Sequence, residues 1–327
     1  MKFISLEHSF QGQLYKRDMP KIVSLIPSGT EMVCALGCLE QLVGRSHECD
    51  YPPGINGLPI CTEPTIAVEG PSREIHDRMS SRLEQSLSVY RVQTETLREL
   101  QPDIIVTQTQ CDVCAVSFTD VEQALKETLH IQPALIALQA TNFQGVWDDF
   151  LRVAEGVGRR QQGLELLATS QTRIAAISGP SRELPPRPTI ACIEWMEPLM
   201  AAGNWIPELV HLAGGQPVFG QPGEHAPWIS WESLAAADPD MLVLMPCGFS
   251  MARIQEELTV LTQHPLWPQL QAVQRQKVYL TDGNQFFNRP GPRLIESLEI
   301  LAEIFHPAHF HFGHEGQGWR QWVPEEN

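Results

Sequence analysis

The sequence predicts an α/β fold in which two lobes of similar construction flank one long connecting helix. Short apolar segments alternate with amphipathic segments along most of the chain, which is typical of sheets covered by helices. A length of 327 residues suggests about two domains. A proline-rich stretch at 179–188 forms a stiff linker between the two α/β cycles, directly after a long helical segment.

The first cycle begins with a buried strand at 21–26. Pro27 ends this strand, and the S-x-x-E pattern from Ser28 to Glu31 predicts a capping box that opens a helix through about Leu36. The other elements predicted for this half are strands at 42–45, 58–61, 103–107 and 134–138 and helices at 72–100 and 143–155.

The second cycle repeats the alternation after the helical segment at 159–177. Its predicted elements are strands at 189–194, 241–245 and 277–281 and helices at 205–212, 231–237, 251–261 and 292–305. We therefore predict five regions: an N-terminal extension (1–19), an N-terminal α/β lobe (20–156), a connecting helix (157–180), a C-terminal α/β lobe (181–306) and a tail that contains His and Trp (307–327).

The acidic composition excludes two classes of partner. A formal net charge of -16 argues against nucleic acid, which needs a basic face, and against docking on anionic lipid. No segment reaches the ~18 apolar residues of a membrane-spanning helix. The first residues lack the apolar region of a secretory signal, so we expect a cytoplasmic protein with reduced thiols, whether translation starts at Met1 or at Met19.

Several segments, taken in their order and spacing, resemble one protein family. They are KIVSLIPSGTEMVCALGCLEQLVGRS at 21–46, DYPP at 50–53, QPDIIVTQ at 101–108 and VHLAGG at 210–215. The family that they resemble is that of the cobalamin and metal-chelate substrate-binding proteins of ABC importers. The resemblance covers roughly residues 20–306.

This resemblance implies two Rossmann-like lobes joined by a single rigid backbone helix, the helical-backbone substrate-binding-protein fold. It also implies non-catalytic binding of cobalamin, a related corrinoid or another metal chelate in the cleft between the lobes, with an ABC permease as partner if the protein is exported. Two features depart from the family: the secretory signal is missing, and the segment QTQCDVCAVS at 108–117 carries a C-x-x-C pair. Together they suggest a cytosolic offshoot with a different ligand.

Candidate ligand-binding residues follow from the rule that ligands bind beyond the carboxyl ends of strands in open α/β sheets. Trp195 and Trp205 suit a flat, conjugated ligand because an indole offers a large apolar area, with packing inside a lobe as the alternative. Arg289 suits a ligand carboxylate or phosphate, with a structural turn as the alternative. The complete set of candidates is Ser28, Thr30, His47, Glu48, Glu194, Trp195, Trp205, Cys247, Asn288 and Arg289.

The pair Cys111 and Cys114 is the sharpest chemical feature of the sequence. Its spacing allows two thiolates to bind one metal ion or to form a redox disulfide. His47 and Cys49 would complete a set of soft ligands that favours zinc or another soft metal, and simple burial of the thiols is the alternative. Two further hypotheses remain open: a thiol- or metal-dependent enzyme built on this set, and a cytosolic metal carrier.

Overall fold

The structure is a computed structural model that describes residues 19–85, 87–109, 119–123, 133–185 and 187–324. Within these residues the strands are β1 (Ile22–Ser24), β2 (Leu42–Arg45), β3 (Thr62–Pro64), β4 (Tyr90–Val92), β5 (Ile104–Gln108), β6 (Ala134–Leu138), β7 (Thr189–Trp195), β8 (Met200–Ala201), β9 (Gln216–Pro217), β10 (Met241–Leu244), β11 (Val278–Thr281) and β12 (Trp319–Gln321). The helices are α1 (Pro27–Ala35), α2 (Ser72–Glu84), α3 (Thr94–Leu100), α4 (Phe143–Gly156), α5 (Arg160–Glu183), α6 (Ile206–Leu212), α7 (Trp231–Ala237), α8 (Met251–Glu257), α9 (Thr259–Thr262), α10 (Gln271–Gln274) and α11 (Leu294–Phe305).

The N-terminal lobe is built on a parallel sheet with the strand order β2-β1-β5-β6. β1 lies between two neighbours, and both β1 and β5 are buried along their whole length. Strands covered on both faces have apolar runs rather than alternating sequences, which explains the IVS and IIV segments. Helices α1 and α4 supply apolar residues to one face, and Leu97 of α3 belongs to the cluster on the other.

The C-terminal lobe is built on a mixed sheet with the strand order β12-β11-β10-β7-β8, and β9 also pairs with β7. β7, β10 and β11 run parallel, while β8 and β12 pair antiparallel. β12 comes from the segment predicted as a tail, so this segment adds a strand to the lobe. Trp319 of β12 anchors it to α11, because its indole N–H donates to the carboxylate of Glu303 at 2.7 Å.

Helix α5 connects the two lobes. Its 24 residues span about 36 Å, and it continues through Pro180, past the predicted end of the connecting helix. It packs against α4 of the N-terminal lobe and α11 of the C-terminal lobe. Arg173 of α5 donates to Glu299 of α11 at 2.7 Å. A continuous helix that packs against both lobes resists bending, so we expect only small movements between the lobes.

Three local predictions are wrong. The helix predicted at 72–100 is two helices separated by β4, because pairing with β3 and burial of Tyr90 outweigh helix propensity. The strand predicted at 58–61 forms instead at β3. The capping box is absent: α1 begins at Pro27, no side chain caps it, and Ser28 and Glu31 are buried within the helix.

One apolar core continues from the N-terminal lobe through α5 into the C-terminal lobe. Phe150 on α4, Ile177 on α5 and Leu298 on α11 all belong to it, and each is at most 1% exposed. The far face of each sheet is covered by a separate cluster. Among the helices in the described ranges, none combines the length and the apolar character needed to cross a membrane.

The continuous core makes a clear prediction for Phe150. Replacing this fully buried ring with alanine leaves a cavity, so we expect Phe150→Ala to lower the free energy of unfolding by about 3–5 kcal/mol. Phe312, which is 42% exposed, is the matched control, and Phe312→Ala should cost less than about 1 kcal/mol. Urea denaturation measures both. Equal losses in the two variants would contradict the assignment of Phe150 to the core.

Candidate functional site

The candidate site is the cleft where the carboxyl ends of the parallel strands of the two lobes approach each other. The loop after β2 (46–50) faces the loop after β11 (282–289). Asn284 of the second loop donates its side-chain N–H to Asp50 of the first at 3.0 Å. In open α/β sheets this edge is where ligands bind, so the fold places the candidate site here.

Arg289 is the central charged group of this cleft. Its side chain is 7% exposed, and Nη1 donates to Asp50 at 2.6 Å and to Glu31 at 3.3 Å. Nη2 donates to the side-chain oxygen of Asn284 at 3.1 Å. Because Glu31 and Asp50 belong to the N-terminal lobe, the guanidinium group holds the two lobes together. We call Glu31, Asp50, Asn284 and Arg289 the cross-cleft cluster.

The two carboxylates of this cluster have opposite pKa shifts. Burial raises the pKa of Glu31 to about 7, although Arg293 and Arg289 act to lower it. Burial is the largest single effect on Asp50 and acts to raise its pKa, but the hydrogen bond and charge of Arg289, together with the hydrogen bond from Asn284, hold the pKa below its usual range. Asp50 is therefore the carboxylate that stays ionised opposite Arg289.

A second arginine, Arg293, lies beside the cross-cleft cluster at the start of α11. Its guanidinium carbon is 4.1 Å from the centre of the Tyr51 ring and 4.6 Å from that of Phe286. Its Nη1 atom is 3.8 Å from Glu31. Since Tyr51 belongs to the N-terminal lobe, this cation–π contact is a second link across the cleft.

The predicted residues His47 and Glu48 lie on the N-terminal wall of the cleft, next to Tyr90. The phenol of Tyr90 donates to Glu48 at 3.2 Å, and the rings of His47 and Tyr90 pack 5.4 Å apart. Burial raises the pKa of Glu48 to about 7, and it lowers the pKa of His47. Burial thus disfavours the charged form of both groups.

Three of the predicted residues, Glu194, Trp195 and Cys247, lie close together on the C-terminal wall. Trp195 is partly exposed, its indole N–H donates to the backbone carbonyl of Glu197 at 3.1 Å, and its ring packs edge-on against Phe249. Cys247 is exposed, and its backbone N–H donates to the carbonyl of Glu194 at 3.1 Å. This wall therefore presents an aromatic surface beside a thiol.

Helix α2 forms another contact between the lobes. Although α2 belongs to the N-terminal lobe, its Ile75 is 4% exposed and packs into the apolar cluster of the C-terminal lobe. The backbone N–H of Ser72 donates to Glu257 at 2.5 Å, and His76 packs edge-on against Trp228, with ring centres 5.1 Å apart. Ser72 and Ile75 are the buried residues of this helix.

Ser28 and Thr30 are both buried in α1. The hydroxyl of Thr30 lies 3.1 Å from the thiol of Cys49, so this pair packs inside the N-terminal lobe. The hydroxyl of Ser28 has no hydrogen-bond partner among the described residues. Its backbone lies close to Gly291 of the C-terminal lobe, where an added Cβ would stand 3.7–3.8 Å from Ser28.

Trp205 and Asn288 make contacts within the C-terminal lobe. Trp205 is 4% exposed and its indole N–H donates to the carbonyl of Phe287 at 2.7 Å, so it packs in the core rather than on the predicted cleft wall. Asn288 donates to the carbonyls of Met245 and Gly283 at 3.0 Å each. Asn288 thus fixes the loops that follow β10 and β11.

The structure describes only two of the four predicted metal ligands, His47 and Cys49. Cys111 and Cys114 lie outside the described residues. His47 Nδ1 lies 2.7 Å from the hydroxyl of Thr62, and burial raises the pKa of Cys49 to about 11, which disfavours the thiolate that binds metal. In the part of the chain that the structure describes, no three or more His, Cys, Asp or Glu side chains are grouped as a metal site.

Four residues of the site were not predicted from the sequence: Glu31, Asp50, Asn284 and Arg293. Glu31 was assigned to a capping box, and nothing local distinguishes a cap from a buried acid that pairs with a distant arginine. Asp50 and Asn284 do follow strand ends, so the rule that selected His47 selects them equally. The partner Arg289, 239 positions away from Asp50, appears only in the folded chain.

The contacts of Arg289 predict a loss of stability when this residue is replaced. Removing its charge leaves the buried Glu31 with only the more distant Arg293 as a cationic partner, so we expect Arg289→Ala to lower the free energy of unfolding by about 3 kcal/mol at pH 8. The double variant Arg289→Ala/Glu31→Gln should recover part of this loss. Arg91→Ala removes a surface pair whose arginine is 71% exposed, so it should cost less than about 1 kcal/mol. Denaturant titration that shows no recovery in the double variant would contradict the pairing.

The raised pKa of Glu48 predicts how the stability of the protein depends on pH. Its pKa is about 7 in the folded protein and 4.5 in the unfolded chain, so the folded state binds more protons between these values. The free energy of unfolding should therefore fall as the pH rises from about 4.5 to 7. Glu48→Gln, which stays neutral, should lose less over this range and melt several degrees higher than the parent at pH 8. The exposed Glu155→Gln is the control, and parallel melting curves for Glu48→Gln and the parent would refute the assignment.

Comparisons with known proteins place the chain among binding proteins. It is 22% identical over 297 residues to a vitamin B12-binding protein of Photorhabdus laumondii, covering 90% of each chain. It is 20% identical to an uncharacterized ABC transporter substrate-binding lipoprotein of Bacillus subtilis, covering 92% of this chain and 85% of that relative. A periplasmic heme-binding protein from Pseudomonas aeruginosa has a similar structure, with a TM-score of 0.70 at 18% identity over 94% of this chain and 99% of that one.

The family comparison agrees with the fold and with the resemblance drawn from the sequence. The model of the periplasmic binding protein family matches residues 22–284, which include the N-terminal lobe, α5 and the C-terminal lobe through β11. Its two-lobe α/β architecture is the one described above. The chain therefore belongs to the periplasmic binding protein family, and it is a substrate-binding protein rather than an enzyme.

Proposed function

We propose that this protein binds a corrinoid such as cobalamin, or a related metal chelate, in the cleft between its lobes. The observation that carries this proposal is the pair of aromatic walls at the strand ends. Trp195 is partly exposed on the C-terminal side, where the buried Phe249 packs behind it, and His47 is partly exposed on the N-terminal side, where the buried Tyr90 packs behind it. Flat macrocycles bury large areas against aromatic rings, whereas a bare ion needs a cage of charged or polar ligands.

The relatives support the same class of ligand. One is named for vitamin B12, and a structural neighbour is named for heme. Both ligands are macrocycles of four nitrogen-containing rings that hold a metal ion. At 18–22% sequence identity, the relatives support a class of ligand, the metal-containing macrocycles. The choice within this class rests on the residues of this cleft.

We further propose that the loaded protein passes its ligand to an ABC-type permease. The Bacillus subtilis relative is named as the substrate-binding part of such a transporter. The comparisons give no support to the cytoplasmic location expected from the N-terminal sequence, because the family is named for the periplasm.

A thiol-dependent enzyme or a zinc carrier has no comparable support. Burial raises the pKa of Cys49 to about 11 and that of Cys61 to about 12, so neither is an activated nucleophile. Zinc bound through His47 and Cys49 would require displacement of the Thr62 and Thr30 hydroxyls.

The proposal is tested by adding cyanocobalamin to the full chain. A ligand that binds the folded state stabilises it, so cyanocobalamin at about 100 times Kd should raise Tm by roughly 5 °C or more. Trp195→Ala should weaken binding about tenfold in calorimetric titration, because it removes part of one wall. Trp322→Ala, which removes an indole packed against Trp267, is the control and should bind like the parent. If cyanocobalamin and hemin both leave Tm unchanged, the proposal is wrong.

A further inference from the structure

We infer that the ring nitrogen Nε2 of His47 binds the metal ion at the centre of the macrocycle. This inference rests on the proposed function and deepens it, because it joins one atom of the cleft to one atom of the ligand. The bond runs from the Nε2 lone pair to cobalt in a corrinoid, or to iron in a porphyrin. A metal ion that arrives inside a macrocycle already has its ring nitrogens as ligands, so a single axial donor from the protein is sufficient.

The hydrogen bonds of Thr62 determine which nitrogen of His47 carries the proton. The hydroxyl of Thr62 donates its only hydrogen to the hydroxyl oxygen of Ser46 at 3.1 Å. The same hydroxyl lies 2.7 Å from Nδ1 of His47, so in this contact it accepts and Nδ1 carries the proton. A neutral imidazole has one protonated nitrogen, so Nε2 keeps its lone pair.

The contacts of His47 also fix the direction of this lone pair. Thr62 lies in β3 and is 1% exposed, whereas His47 is partly exposed. Because the two ring nitrogens point to roughly opposite sides of the imidazole, Nε2 faces away from Thr62, toward the open side of the N-terminal wall. The backbone N–H of His47 donates to the Thr62 hydroxyl at 3.1 Å, and the Tyr90 ring packs against the imidazole. The ring is therefore held through its backbone, through Nδ1 and on one face.

The surroundings of His47 disfavour the charged imidazolium. Burial is the largest effect and lowers the pKa of His47, and the positive charge of Arg45 lowers it further. Glu63 acts in the opposite direction but has the smallest of the three effects, and its carboxylate pairs with Arg91. Metal ions bind the neutral imidazole, and a metal-binding histidine usually donates its other ring N–H to a neighbouring oxygen. His47 has both properties.

A single lone pair of this kind suits a chelated metal better than a bare ion. A bare zinc ion is usually held by four ligands. Within the described ranges, no three His, Cys, Asp or Glu side chains are grouped as a metal site, and the phenol of Tyr90 beside His47 already donates to Glu48. A macrocycle supplies the remaining ligands itself, so His47 fits the class of ligand proposed above.

Ligand exchange at the metal separates two forms of cobalamin. Aquocobalamin holds a replaceable water molecule on cobalt, whereas cyanocobalamin holds a tightly bound cyanide there. When Nε2 binds, a cobalt–nitrogen bond forms, the cobalt–water bond breaks and the water leaves, with no change in oxidation state. The proton on Nδ1 stays hydrogen-bonded to Thr62. His47 therefore binds the metal of aquocobalamin but only packs against cyanocobalamin.

The test titrates the full chain with aquocobalamin and with cyanocobalamin, by calorimetry and by visible absorption. The absorption bands of aquocobalamin should shift on binding to the parent as nitrogen replaces water, and those of cyanocobalamin should show no such exchange. His47→Ala should abolish the shift and weaken aquocobalamin binding by about 100-fold. Cyanocobalamin binding to this variant should change by about threefold or less, because only a packing contact is lost. His311→Ala, an exposed change, should behave like the parent.

Two substitutions of Thr62 test the position of the proton. Thr62→Val removes the oxygen that accepts from Nδ1, so it should weaken aquocobalamin binding about tenfold and leave the shift visible at saturation. Thr62→Ser keeps a hydroxyl and should bind like the parent. Equal affinity of Thr62→Val and the parent would contradict the assignment of the proton to Nδ1. Melting curves without ligand check that each variant is folded.

The outcomes separate this inference from the proposed function. If both cobalamins bind without a shift, or if the shift persists in His47→Ala, the role of His47 is overturned while corrinoid binding stands. If neither cobalamin binds, the corrinoid proposal falls and hemin decides. An imidazole-type hemin spectrum that is lost in His47→Ala supports the role of His47. Hemin that keeps its spectrum in this variant, or that does not bind the parent, overturns it.

Discussion

A buried guanidinium group has to be compensated by acidic partners, and in this protein those partners come from the opposite lobe. Arg289 meets Glu31 and Asp50 across the cleft, so its desolvation is tolerable only while the lobes lie close together. A further link between the lobes joins the start of α4, just after β6, to α6, where the backbone N–H of Phe143 donates to Glu208 at 2.7 Å. The relative position of the lobes is thus held by a rigid helix at the back and by an ionic contact at the front.

Two contacts between the lobes, helix α2 and the cross-cleft cluster, differ in the free energy needed to open them. Helix α2 buries Ser72 and Ile75 against the C-terminal lobe, and most of its other residues are exposed. Segments with few buried groups open locally at low cost. Arg289 and Glu31, in contrast, are each less than 10% exposed, and separating them would break the ion pair that compensates their burial. A small opening that admits a ligand therefore begins more easily at α2 than at the cross-cleft cluster.

The fold could be predicted from the sequence because its signals are local. The apolar runs of β1 and β5, the long helical segment of α5 and the alternation of strands with helices all depend on neighbours in the chain. β4 escaped prediction because its pairing with β3 outweighs the helical character of the residues around it. The site was harder to predict, because its contacts join residues that are far apart in the sequence. Arg289 was selected as a candidate, but whether it faces a ligand or Asp50 depends on a contact between residues 239 positions apart.

The buried acids also bear on how a substrate-binding protein with a formal charge of -16 can have a cleft of low net charge. On the surface, acidic side chains are solvated and have little effect on the cleft. Inside it, Glu31 and Glu48 have pKa values raised to about 7, so these walls carry less charge than their composition suggests. Asp50 keeps its charge, but Arg289 neutralises it. The contact that holds the lobes together therefore adds little net charge to the cleft, because the acids in it are either paired with an arginine or have raised pKa values.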